Sequence, residues 1–208
     1  MTDWGLIIGG SSCVGKTTVA RHLCARLNLT LVETDRSLPN NPHLRPLDGA
    51  LEIWDRPPAE LRDLLIVAAE MAVPYLLKQI SGLAASGTGW IVEGERVHPD
   101  LIERLQRDGR AQGVFIVETD AARLYRTLME RLPGFKKIAE SRRRTVAEVD
   151  RLYNLWLIEE ASQRNLPCLE SQPWQTLSER VLATASMTNA RREFINLRRA
   201  ASHRKVMR

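Results

Sequence analysis

The residues Gly10-Ser11-Ser12-Cys13-Val14-Gly15-Lys16-Thr17 fit the phosphate-loop pattern at every fixed position. Glycines at both ends let the chain bend so that successive backbone N–H groups converge with the positive end of a following helix. Such a cradle holds phosphate oxygens. The Lys16 ammonium would reach the β- and γ-phosphates, and the Thr17 hydroxyl would ligate Mg²⁺. The nucleotide-binding candidates are therefore Gly10, Ser11, Ser12, Cys13, Val14, Gly15, Lys16, Thr17 and Thr18, with ATP and Mg²⁺ as the implied cofactors. Cys13 has two readings. Its thiol could be acidified by the surrounding N–H groups, or it is a small residue that tolerates the bend.

A phosphate loop alone does not separate a transferase from a switch, but three further groups lean toward transfer to a small acceptor. Asp35, in Glu33-Thr34-Asp35-Arg36, can take the proton of an acceptor hydroxyl or hold that hydroxyl in line. Glu93, in Ile91-Val92-Glu93-Gly94, can bind Mg²⁺ through water or act as the base in place of Asp35, and Gly94 would let a substrate approach the backbone. Arginines can cover the charge that spreads over a migrating phosphoryl group. The candidates are Arg131, on the helix before Pro133-Gly134, and either Arg142 or Arg143, on the basic stretch after it. Arg36, Arg45 and Arg56 flank a proline-rich segment with Trp54 and would suit an anionic acceptor.

The elements that must position these groups alternate. Strands are expected over 4–8, 29–33, 90–92, 112–117 and 167–169, and helices over 16–27, 59–85, 99–107, 121–132, 145–165 and 176–185. Pro74 should kink or divide the long second helix. Residues 36–58, with five prolines, read as a loop with a short helical piece, and loops of that length in compact domains are usually functional. Alternating strands and helices imply a five-stranded parallel sheet with helices on both faces. Ligands then bind beyond the carboxyl ends of the strands, where the loop, Asp35 and Glu93 all fall.

Composition limits the remaining classes. At 208 residues, 44% hydrophobic and 26% charged, the chain has the makeup of one globular domain. A single domain over 1–190 is expected, with a short lid near 133–145 and a basic tail over 191–208. The tail carries +6 and the whole chain +5, so the body is −1 and gives no ground for nucleic-acid binding. The most apolar stretch, 64–77, contains Glu70 and Pro74 and is too short for a membrane span. Three scattered cysteines fit neither a disulfide framework nor a zinc site, and the expected location is the cytoplasm.

The run from Ile8 to Ala20, Glu33-Thr34-Asp35-Arg36, Ile91-Val92-Glu93-Gly94, the Arg142-Arg143-Arg144 segment and Pro173-Trp174 together resemble the small P-loop kinases of the nucleoside and nucleotide kinase-like group, nearest to 2-phosphoglycerate kinases. The resemblance covers about 4–185. It implies nucleotide contacts from Gly10 to Thr18, acceptor-side roles for Asp35 and Arg36, and lid arginines near Arg131 and Arg142. It departs from that group at Cys13, where glycine is common, after Gly94, and over 37–58. The reading is an ATP-dependent kinase acting on a hydroxyl of a small, anionic metabolite, compatible with a homodimer. The alternative is a nucleotide-dependent binding or regulatory protein with slow hydrolysis or none.

Overall fold

The computed structural model describes residues 5–49, 51–132 and 134–186. Trp4, Pro133 and the basic tail lie outside them. Five strands form one sheet: β1 (Gly5–Gly9), β2 (Thr30–Glu33), β3 (Trp90–Gly94), β4 (Gln112–Val117) and β5 (Cys168–Glu170). Their order is β2-β3-β1-β4-β5, and every pairing is parallel. Among the described residues seven α-helical segments connect and flank them: α1 (Lys16–Leu27), the single turn α2 (Thr34–Ser37), α3 (Pro58–Ala85), α4 (Pro99–Arg107), α5 (Ala121–Arg131), α6 (Glu140–Gln163) and α7 (177–186).

The central strands are apolar runs because both faces are covered. Side chains alternate across the sheet, so Ile7, Val92, Phe115 and Val117 join one core, with α3, α4 and α6. Leu6, Ile8, Ile91, Val114 and Ile116 join the other, with α1, α5 and α7. Local signals set several boundaries. Asn28 closes α1 in the left-handed conformation. The Asp120 side chain accepts the N–H groups of Ala122 and Arg123 and starts α5.

Two boundaries differ from the sequence expectation. Pro74 does not divide α3, which runs unbroken for 28 residues. Pro74 and Glu70 both lie on its exposed face, so water can serve the carbonyl that loses its N–H partner. By length and composition α3 could cross a membrane, contrary to the short stretch expected, but Leu61, Leu65, Ala72, Leu76 and Ile80 are buried in the protein's own core. The second difference concerns α6, which begins at Glu140 rather than 145. The Glu140–Arg144 ion pair, 2.6 Å and one turn apart, supports its first turn. Part of the expected lid is thus the start of α6, and the α5–α6 connection spans only 132–139, anchored by buried Phe135.

Candidate active site

The strand register assembles the site. Ile8 pairs with Glu93 and Gly9 with Gly94, so the loop after β1 leaves the sheet beside the carboxylate that ends β3. The loop turns on backbone angles few side chains adopt: φ is 142° at Gly10, 58° at Cys13 and 100° at Gly15. A Cβ on Gly10 would lie 2.1 Å from the Ile116 carbonyl oxygen, and one on Gly15 2.5 Å from the Trp174 ring. Only glycine fits at either point. The loop therefore lies directly on β4, with Trp174 against it at Gly15.

Helix α1 starts at Lys16 with no side-chain cap and no acid in its first turn. Its leading N–H groups are left for an external anion. Lys16, largely buried, folds back and donates to the Ser11 carbonyl at 2.6 Å. The Thr17 hydroxyl donates to Glu93 Oε1 at 2.8 Å. The other oxygen of Glu93 is buried and has no hydrogen-bond partner. Burial pushes the Glu93 carboxyl up, against the opposing pull of Lys16 and Thr17. An orphaned carboxylate oxygen next to a threonine hydroxyl fits Mg²⁺, which binds by one or two protein oxygens and completes its shell with water and phosphate. Among the described residues no cluster of three His, Cys, Asp or Glu could hold a metal by itself.

Beside the loop lies a polar pocket of about 240 Å³, lined by Ser12, Asp35, Arg45, Asp48, Glu95 and Arg96 among others. Of the acceptor-side candidates, the structure brings Asp35 and Arg45 to this wall. Arg36 turns outward to Glu33 at 3.0 Å, and Arg56 pairs with Glu60 at 2.9 Å. Neither lines the pocket. The space beside Gly94 is not open to a substrate, because a Cβ there would lie 1.7 Å from Thr34 Oγ1. Gly94 is small to admit Thr34. Arg131 reaches Thr18 Oγ1 at 3.4 Å, at the phosphate-loop side. Arg142 is held by both oxygens of Asp55, at 2.8 and 2.6 Å, and Arg143 donates to the Lys136 carbonyl at 3.2 Å. Burial pushes the Cys13 thiol up, with Asp150 adding to the shift, so the loop does not acidify it.

Three further polar residues are central to the site: Asn154 and Asp150 carry no motif, and Glu95 directly follows the Glu93-Gly94 pair. Asn154 donates from Nδ2 to Ser11 Oγ at 2.9 Å and to the Glu118 carbonyl at 2.7 Å, tying α6 to the loop and to the end of β4. Asp150, 4% exposed, accepts the Ser12 N–H, and its Oδ2 meets no partner. Burial raises its carboxyl well above the ordinary carboxylate value, and the nearby charge of Glu95 adds to that. Glu95 takes the Ser12 hydroxyl at 3.2 Å and the Arg96 guanidinium at 2.5 Å. Burial opposes ionisation of Glu95, but Arg96 and Lys16 outweigh it and keep that carboxyl low. A signal for the α6 pair existed: Ala147, Asp150, Asn154, Leu157 and Ala161 share one buried stripe, with two polar residues where apolar ones belong.

A parallel five-stranded sheet with a phosphate loop between its central strand and α1 is the fold of the P-loop kinases. Solved structures are similar to this chain over most of its length. A gluconokinase from Sinorhizobium meliloti 1021 superposes with a TM-score of 0.59 at 13% identity, over 92% of this chain and 97% of that one. A shikimate kinase from Acinetobacter baumannii gives 0.48 at 15% identity, over 86% and 90%. A deoxyadenosine kinase from M. mycoides gives 0.47 at 14% identity, over 86% and 97%. No family model matches the chain, and no curated protein matches it.

Proposed function

We propose that the chain is an ATP-dependent phosphotransferase that moves the γ-phosphoryl group to a hydroxyl of a small metabolite. One observation carries the reading: the phosphate loop and the polar pocket share a wall at Ser12, with Asp35 across that pocket and Thr17–Glu93 beneath the loop. The gluconokinase with the same fold acts, by its name, on a small hydroxylated acid, which supports the reading. The 2-phosphoglycerate kinase resemblance rests on the sequence segments alone.

In this reading the loop amides and the N-terminus of α1 hold the triphosphate, and Lys16 leaves the Ser11 carbonyl for the β- and γ-oxygens. Thr17 and Glu93 would hold Mg²⁺, which would neutralise charge on the phosphates. Asp35 orients the acceptor hydroxyl and accepts its proton as the new O–P bond forms and the bond to the β-phosphate oxygen breaks, releasing ADP. Arg131 covers the transferring group from the α5 side, and residues 132–139 act as a short lid.

Calorimetry with Mg²⁺ and a non-hydrolysable ATP analogue, paired with ADP release across a panel of hydroxylated acceptors, tests this. Binding with acceptor-stimulated ADP release is the expected result. Binding without stimulation by any acceptor indicates a regulatory nucleotide-binding protein. No binding removes the reading altogether.

A further inference from the structure

A cavity of about 550 Å³ adjoins the polar pocket, and the two share Ser12, Asp48, Glu95 and Arg96 as a common wall. Its volume lies within the range of small-molecule sites. Its remaining lining is mostly apolar, drawn from the acceptor-side loop (Leu47, Leu51, Trp54), the α5–α6 connection (Phe135, Ile138) and α6 (Val149). The Arg142–Asp55 pair fastens that loop to α6 beside it. A gluconate-sized polar acceptor has no use for such a space.

The charges around the pocket point the same way. Three carboxylates, Asp35, Asp48 and Glu95, face two guanidiniums. Arg96 is engaged by Glu95 at 2.5 Å and donates to the Leu44 carbonyl at 2.8 Å. Arg45 is engaged by Asp48 at 3.3 Å and by the Asp35 carbonyl, and its Nε is buried with no hydrogen-bond partner. Each arginine already has an acidic partner, and among the side chains that line the pocket the acids outnumber the bases by three to two. Like charges brought together are strongly disfavoured. Asp150, on the cavity wall, adds a buried carboxyl whose Oδ2 has no partner and whose surroundings favour the neutral, hydrogen-donating form.

We propose that the acceptor is a non-anionic amphiphilic alcohol, with its hydroxyl beside Asp35 and its apolar body in the cavity lined by Trp54. This rests on the phosphotransferase reading and replaces the anionic metabolite suggested by Arg36, Arg45 and Arg56 in the sequence. The probes are 1,2-diols from propane-1,2-diol to octane-1,2-diol, titrated by ligand-observed NMR against the full chain with Mg²⁺ and the ATP analogue. Affinity should rise about fourfold per methylene until the cavity is filled. 8-Hydroxyoctanoate, of the same length but anionic, should bind at least tenfold more weakly than octane-1,2-diol. Ile138→Trp, which fills the cavity, and Leu47→Asp, which charges it from a part-exposed position, should each flatten the series. A flat series in the parent protein, preference for the carboxylate, or no diol binding overturns the proposal. ADP release is followed with the same diols: binding that depends on chain length without any turnover refutes the transferase reading and leaves the pocket's ligand class standing.

Discussion

Asp150→Asn isolates the most unusual acid in the site. In the folded chain one oxygen of Asp150 accepts the Ser12 N–H, while the other is buried with no donor near a second carboxylate, Glu95. Burial and that neighbour favour the protonated form, whereas the unfolded chain gives up the proton at the ordinary carboxylate value of 3.8. The folded state thus binds more protons between these two points. Its stability is fully present below the unfolded value and is lost as pH rises toward the folded one. The slope is at most about 1.4 kcal/mol per pH unit. Asparagine keeps the carbonyl that serves Ser12 and has no proton to lose, so the variant lacks this slope. Urea unfolding at pH 4.5, 5.5 and 6.5 should show the variant gaining on the parent by about 1–3 kcal/mol over those two units. Titrations common to both proteins cancel in the difference. A difference that stays flat, or shrinks as pH rises, means Asp150 is ionised in the fold and the account of its environment is wrong.

The other tests concern catalysis and packing. Lys16→Ala should lower transfer by at least about a hundredfold while far-UV circular dichroism is unchanged, since the side chain hydrogen-bonds to a loop carbonyl, that of Ser11, rather than to a strand or helix. Asp35→Asn should slow transfer by about 10²–10⁴ and leave ATP affinity within a factor of a few; full activity in that variant moves the base role to Glu93. Gly94→Ala should lower the melting temperature, because its Cβ would meet Thr34 Oγ1 at 1.7 Å and overpacking of this kind costs about 1–3 kcal/mol. An unchanged melt would show that Thr34 is free to move. Removing 191–208 should leave transfer intact, as measured by ADP release.

Much of this protein is written locally. The phosphate loop, the sheet of alternating strands and helices, the Asp120 cap and the placing of Asp35 and Glu93 at strand ends follow from runs of a dozen residues or fewer, because turn chemistry and periodicity act over that range. The extent of α3 and α6 was less legible. Pro74 is tolerated inside α3 on that helix's exposed face, and a helical ion pair supports a turn of what looks like a basic loop.

What the chain could not state locally was decided by side chains meeting across long separations. Asn154 and Ser11 are 143 residues apart, and Arg142 and Asp55 are 87 apart. Whether an arginine is available for a ligand depends on which acid reaches it first, and whether an aspartate is charged depends on how much water its neighbours leave. Both are properties of the packed interior. The sequence by itself settled that a phosphate loop precedes a helix beside two strand-end acids. Only the tertiary structure determined that Arg36 and Arg56 turn away, that Arg45 and Arg96 each already have an acidic partner, and that an apolar cavity opens next to them.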